Sequence, residues 1–467
     1  MDLAARMAAQ LKDAVKPSDR LVVGLSGGAD SMALLDCLRR AAHGLRFRLS
    51  ALHINHQLSP NAARWSAFCR RLCRERGIPF ESVKVTVRRG DSLEAAARAE
   101  RYAVYARQDC DYVVLAHHRD DQVETLFLQL LRGAGVKGLA AMPLVRTEDR
   151  GSRIEGRTSA RSGRELNPQS TIHNPGILRP LLDVTRQEIL EYAKKRKLKW
   201  VEDESNQNIY FQRNFIRHEV LPAIARRFPT YRTTVARSAR HLAEAARLLD
   251  ELAAADGAGY MNDGAVNVAA LRRLTPARAR NLLRYFLAVY GISMPGTERL
   301  EEALRQALHA RQDARVRVDL GGFELHRFLG RLHVAPRLPA VRKEYTRRWR
   351  GERTLALPDL GGVLAMTRSR GQGVSLERLR GGAVTIRVRR GGERLQPDCR
   401  RPRRSLKNLL QEQKVPPWQR GRLPLIFCGE DLVWTAGVGV DCKYQAAGGE
   451  PAIRPLWGVA LRRPARR

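Results

Sequence analysis

Four short stretches hold residues whose types and spacing could do chemistry. Ser26-Gly27-Gly28-Ala29-Asp30-Ser31 stands between an apolar run, Leu21-Val22-Val23, and a helical pattern that opens at Met32. A strand, a glycine loop and a helix in that order make an anion site. Glycines allow close approach of the backbone, the loop turns its N–H groups inward, and the helix start adds partial positive charge. The G-x-x-x-x-G-K-[ST] loop needs a lysine and none is present here, so phosphates would be held by a different arrangement. The second stretch, His117-His118-Arg119-Asp120-Asp121-Gln122-Val123-Glu124-Thr125, follows a strand and opens a helix. Asp121 and Glu124 are three apart and share a helix face, where two carboxylates can meet one cation, either an ammonium group or Mg²⁺. Helix capping would account for one of these acids, but not for two histidines, two aspartates and a glutamate crowded at a strand end. Adjacent histidines point in different directions and no cysteine is near, which argues against zinc. The third stretch, His53-Ile54-Asn55-His56, ends a strand that would adjoin the glycine loop, so His56 is expected near a bound nucleotide. The fourth pairs Glu202-Asp203-Glu204-Ser205-Asn206 with Arg213-Asn214-Phe215-Ile216-Arg217. Arginines beside a phosphate site can neutralise charge that develops during nucleotidyl transfer, and a solvated helix face is the plainer use of such residues.

The elements that must position these groups alternate from Arg20 to about Gly138. Strands are expected at Phe47 to Ile54, Val83 to Val87 and Tyr112 to Ala116, and helices at Asn61 to Arg76, Leu93 to Gln108 and Asp120 to Leu131. That rhythm implies an α/β fold with a parallel sheet covered by helices, its ligands at the carboxyl ends of the strands. Arg146 to Gly176 breaks the rhythm, with few apolar residues, and reads as a flexible insertion. Thr185 then caps a helix through Tyr192. A mostly helical domain is expected from 221 to 340, with Thr275-Pro276 opening one helix, Gly291 closing it, and a small hairpin set at Val316 to Val334. Arg342 to Arg353 reads as a charged linker. Residues 354 to 467 read as a small α+β domain, with strands at Thr385 to Arg389 and Leu432 to Trp434 and a helix at Leu406 to Gln413.

At 467 residues the chain exceeds one ordinary core. Lysine and arginine number 84 against 48 acidic residues, a formal net charge of +36, which calls for a polyanionic partner, nucleic acid above all. Arginine-rich solvated faces account for part of that excess. The N-terminal stretch, MDLAARMAAQLKDAVKPSDR, has neither the apolar core of a signal peptide nor the length of a membrane span. Cys37, Cys69, Cys73, Cys110, Cys399, Cys428 and Cys442 are an odd, scattered set, expected as reduced thiols of a cytoplasmic protein. Sulfur transfer would need a nucleophilic cysteine or paired C-x-x-C motifs. No C-x-x-C occurs, and Cys69 and Cys73 are four apart on an expected helix.

The SGGADS loop resembles the SGGxDS loop of the ATP pyrophosphatase superfamily, which cleaves ATP between the α and β phosphates. The order SGGADS, LHINH, LEAAARAERY, HHRDDQVETLFLQLLRGAGVKGL, RPLLDVTRQEI, WVEDESN, RNFIRHEVLP and LKNLLQEQKVPPWQRGRLPLI resembles the bacterial tRNA(Ile)-lysidine synthetase family over most of the chain. Arg119 departs from that pattern, where a small or apolar residue is usual, and the Arg146 to Gly176 segment is longer than the usual connection. The resemblance implies an ATP-pyrophosphatase domain over residues 1–220 and tRNA-binding domains after it. It implies that ATP is held by Ser26, Gly27, Gly28, Ala29, Asp30 and Ser31, with Asp30 near Mg²⁺. It also implies that Asp121 and Glu124 bind lysine or take its proton, and that Arg213, or else Arg217, steadies the phosphate. The partners implied are a tRNA(Ile) with a CAU anticodon and L-lysine. A homodimer is left open, and no membrane is involved.

Overall fold

The computed structural model describes residues 2–87, 93–146, 175–262, 264–292, 294–311 and 316–459. The chain divides into two compact units, Met1–Ala253 and Ala254–Arg467.

In the first unit the chain order is α1 (Leu3–Lys12), β1 (Arg20–Gly24), α2 (Ala29–Leu45), β2 (Arg48–Asn55), α3 (Ala62–Glu75), β3 (Phe80–Lys84), α4 (Leu93–Tyr105), β4 (Tyr112–Val114) and α5 (Arg119–Leu131). There follow α6 (Val136–Leu139), β5 (Val145–Arg146), β6 (Gly176–Leu178), α7 (Arg186–Lys195), α8 (Gln212–Phe215), a π turn at Ile216–Val220, α9 (Leu221–Arg227) and α10 (Tyr231–Gly257). The strands form one sheet in the order β3-β2-β1-β4-β6-β5, parallel except for the two-residue edge strand β5. β1 is central. The chain leaves it to one side through α2 to β2 and reaches its other neighbour, β4, only later. Such a reversal opens a crevice beyond the carboxyl ends of the two strands. The loops after β1 and β4 are the two that carry Ser26–Ser31 and His117–Asp121.

From Ser31 to Leu38 every residue of α2 is buried, so this stretch is covered on all sides. Met32, Leu34, Leu35 and Leu38 are each 0 % exposed, and burying a side chain of this size contributes about 1.5–3 kcal/mol. α7 packs beside it and begins with a capping box, in which the Thr185 hydroxyl accepts from the Glu188 N–H while Glu188 accepts from the Thr185 N–H at 2.7 Å. Tyr192 on α7 donates to the buried Asp36 of α2 at 2.7 Å, and Arg196 reaches the same carboxylate.

Several boundaries differ from the sequence expectation. β3 lies at Phe80–Lys84, not at Val83 to Val87, because its pairing with Ala51–Asn55 decides the register. The expected insertion at Arg146 to Gly176 begins and ends in strands: Arg146 belongs to β5 and Gly176 opens the interior strand β6. The part between, 147–174, lies outside the described residues. Arg342 to Arg353 is more than a linker, since Thr346–Arg348 pairs with Thr385–Arg387 as an exposed, charged edge strand.

The second unit begins with a five-stranded sheet and three helices, Val268–Arg273, Pro276–Val289 and Thr297–His309. Leu282, Leu283, Phe286, Leu287, Leu300 and Leu325 form its core. After Pro336 come a five-stranded and a four-stranded antiparallel sheet around a second core. Trp418 ties the two parts together. Its ring stacks on His326 of the first sheet at 4.2 Å between centroids and meets Phe328 edge-on. Cys399 and Cys442 form a disulfide, which corrects the expectation of seven reduced thiols. Although 43 residues apart in sequence, their Cα atoms are 5.3 Å apart, a proximity that spacing does not reveal. The other five cysteines are free and buried.

Candidate active site

The loop after β1 is held in shape by its own serines, the Gly28 N–H donating to Ser26 Oγ at 3.3 Å. Ser31 Oγ donates to the Gly28 carbonyl at 3.0 Å and accepts from the Gly27 N–H, and the Ser26 and Ser31 hydroxyls lie 3.1 Å apart. Gly27 has φ +93°, and a Cβ there would lie 3.0 Å from Val201 Cγ2 and 3.2 Å from Cys69 Sγ. Glycine is therefore required for both conformation and space. α2 starts at Ala29 with Gly28 as its N-cap and no side chain capping it, so the first-turn N–H groups and the helix dipole face the crevice.

Asp30 stands on that first turn. Burial raises the pKa of its carboxyl, and the neighbouring His118 opposes that shift. Its Oδ1 is buried without a hydrogen-bond partner, while Oδ2 lies 3.8 Å from His118 Nε2. Among the described residues no group of three or more His, Cys, Asp and Glu side chains is arranged to hold a metal ion. A carboxylate with one unpartnered oxygen beside a phosphate cradle nevertheless fits Mg²⁺, which is commonly held by one or two carboxylates together with substrate phosphates.

From the other side of the crevice comes the start of α5. Asp121 Oδ2 accepts from the His118 N–H at 2.9 Å, the capping use that sequence alone allowed for. Its Oδ1 meets Arg213 at 2.8 Å. Burial pushes the Asp121 carboxyl up, but the neighbouring His118 and Arg213 outweigh it and hold the group below the usual carboxylate range. Glu124, 1 % exposed, receives Arg213 Nε at 2.6 Å and Arg217 Nε at 2.6 Å. The two arginines reach it from α8 and the π turn, four residues apart. Asp120 faces another way. It accepts from the Arg186 N–H at 3.0 Å and from Arg232 at 2.5 Å, fastening α5 to α7 and α10. Arg119 donates to the Asp183 carbonyl, away from the carboxylates.

The structure therefore brings Asp30, Asp121, Glu124 and Arg213 to one crevice, with Ser26–Ser31 as its floor. His56 follows β2 directly, 3.4 Å from Arg101, and burial pushes it down to about 4, so it is neutral at physiological pH. His53 is a packed residue, 2.8 Å from the Leu25 carbonyl. Sequence reasoning gave too little weight to His118, which faces Asp30, Asp120 and Asp121, and named Arg217 only as a substitute for Arg213. The signal for both was available in the four-residue spacing of Arg213 and Arg217 and in the doubled histidine. Cys69 and Cys73 are pushed up to about 12 and about 11 by burial, so neither supplies a thiolate for sulfur transfer.

A parallel sheet with a glycine loop at its switch point, an unspent helix start and a lone acid beside it define an ATP-using domain of the PP-loop class. Residues 2–224 match the model of that PP-loop domain. Residues 267–333 match the TilS substrate binding domain and residues 384–457 the TilS substrate C-terminal domain. The chain is 46 % identical over 451 residues to a tRNA(Ile)-lysidine synthase of Nitrosomonas europaea, covering 96 % of this chain and 93 % of that protein. It is 39 % identical to the one of Chromobacterium violaceum, covering 95 % of each, and 37 % identical to that of Coxiella burnetii, covering 95 % and 93 %. The chain belongs to the tRNA(Ile)-lysidine synthase family, ATP-dependent ligases that form lysidine on tRNA(Ile).

Proposed function

We propose that the chain forms lysidine in two steps within this crevice. The O2 of the wobble cytidine, in a tRNA(Ile) with a CAU anticodon, attacks the α phosphate of ATP and releases pyrophosphate. The ε-amine of free L-lysine then attacks C2 and expels AMP. The observation that supports this reading is the meeting of a phosphate floor, Ser26–Ser31, with a buried pair of carboxylates, Asp121 and Glu124, on facing strand ends. The first suits the anion and the second an ammonium.

In this reading the backbone of Gly27–Ser31 and the α2 N-terminus cradle the phosphates. Asp30 would hold Mg²⁺, which draws charge off the phosphate oxygens. Arg213 or Arg217 meets the negative charge that grows at the α phosphate, and Asp121 and Glu124 orient the lysine amine or take its proton. His117 takes no proton at neutral pH, because burial pushes its pKa down to about 3. Residues 221–340 and 354–467 are proposed as the tRNA-gripping domains, and the cytoplasm as the place of work.

The test is pyrophosphate release by the full-length protein. It should require the tRNA, proceed without lysine, and fall to background in Asp30→Ala. Release at the wild-type rate from a folded Asp30→Ala protein would refute the role given to that acid.

A further inference from the structure

Asp121 and Glu124 are not open to an ammonium ion as they stand. Each Glu124 oxygen is occupied: Oε1 by Arg217 Nε at 2.6 Å, and Oε2 by Arg213 Nε at 2.6 Å and an Arg217 terminal nitrogen at 3.1 Å. Asp121 Oδ1 has Arg213 at 2.8 Å and Arg217 at 3.5 Å. Two carboxylates thus meet two guanidinium groups, and the quartet carries no net charge. Its members are enclosed, the side chains of Glu124, Asp121, Arg213 and Arg217 being 1 %, 11 %, 20 % and 22 % exposed. Bringing lysine's ammonium here would bury a third cation against two carboxylates whose charge two guanidinium groups already balance. Burying that unmatched charge costs several kcal/mol, so the balanced quartet disfavours lysine.

A phosphate changes that balance. Guanidinium groups bind phosphate in bidentate fashion, and an arginine drawn to it leaves a bare oxygen on Glu124. Of the two, Arg217 is placed to move. Arg213 divides its bonds between Asp121 and Glu124, fixing α8 to α5. Among the described residues Arg217 spends its hydrogen bonds on Glu124, and it approaches Asp121 Oδ1 only at 3.5 Å. It sits on the π turn Ile216–Val220, a helix irregularity that concentrates at functional sites.

We propose that Arg217 is an exchangeable counter-ion that holds Glu124 until a nucleotide phosphate takes it away, so that lysine binds only after the nucleotide. This rests on the assignment of Asp121 and Glu124 to lysine. The exchange keeps the first step from meeting a premature amine. The two ligands are then positively coupled, and by linkage each strengthens the other by the same factor.

The experiment is calorimetric titration of the full-length protein with L-lysine, with and without α,β-methylene-ATP, whose bridging carbon blocks cleavage. Lysine affinity should rise about tenfold or more with the nucleotide bound, and nucleotide affinity should rise by the same factor with lysine bound. Arg217→Gln should bind lysine about tenfold more tightly than the wild type when both are free of nucleotide, and should lose the coupling. Equal lysine affinity with and without nucleotide in the wild type overturns the proposal, and so does weaker lysine binding by folded Arg217→Gln. If Arg217→Gln does not fold, the wild-type pair of titrations still decides. A wild-type protein that joins lysine to tRNA yet shows no coupling refutes the exchange alone. One that never joins lysine refutes the reading beneath it.

Discussion

At the residue scale, Asp121 and Glu124 were legible because three-residue spacing places two acids on one helix face whatever the fold. That Arg213 and Arg217, named from the sequence for a phosphate, would pair with these acids was not, since Arg213 and Glu124 are 89 residues apart and the packing of α8 on α5 joins them. Asp121→Asn keeps the capping acceptor for the His118 N–H, and Glu124→Gln keeps the shape, so both should fold. Each should raise the KM for lysine about tenfold or more, the worth of a charge-assisted hydrogen bond, while pyrophosphate release continues and adenylylated tRNA accumulates. An unchanged lysine KM in both variants would remove these residues from the lysine site. His117 makes a pH prediction. Its folded pKa is about 3, against about 6.5 in an unfolded chain. Between those values the unfolded state binds the extra proton, so stability is full above pH 6.5 and declines as pH falls toward 3. The melting temperature should drop on acidification from pH 7 to pH 5, and less steeply in His117→Gln. Identical slopes would show that the ring is not held neutral.

At the element scale, the strand, loop and helix from Arg20 to Leu45 were readable because each piece has a local signature: an apolar run, a glycine pair and a buried helical pattern. β3 was misplaced and β6 was not anticipated, because their positions come from pairing with β2 and β4, and flanking residues say little about a partner strand. The disulfide was missed for the same reason, being a product of the fold. Gly27→Ala should show how much the loop depends on its backbone. The added Cβ meets Val201 and Cys69 in a left-handed conformation, so ATP affinity should fall and the melting temperature with it. Retention of both would mean that the loop tolerates a different path. Thr185→Ala removes the α7 cap and should cost about 1 kcal/mol in chemical denaturation. A change near zero would show that Tyr192 and Arg196, gripping Asp36, hold the helix unaided.

At the scale of the whole molecule, the charge of +36 was visible from composition, and what it grips was not. The basic run at Arg387 to Arg404 lies in the second unit, where Arg400 and Arg401 are exposed. Arg462 to Arg467 lies outside the described residues. Cutting the chain near Ala340 would strip Trp418 from His326 and Arg422 from the Leu338 carbonyl, so charge is better removed by substitution. Replacing Arg400 and Arg401 with glutamine should lower tRNA affinity and flatten the dependence of log K on log salt by about 0.7–0.9 for each phosphate no longer neutralised, leaving ATP binding intact. An unchanged slope would place the tRNA elsewhere. The central claim is that one crevice adenylates a cytidine and then hands it an amine. The direct measurement is mass spectrometry of nucleosides from a CAU-anticodon tRNA(Ile) transcript incubated with the protein, ATP and L-lysine. The account predicts lysine attached to the wobble cytidine only when both small molecules are present, and an adenylylated cytidine when lysine is withheld. An unmodified wobble cytidine, or a product carrying sulfur in place of lysine, would contradict it.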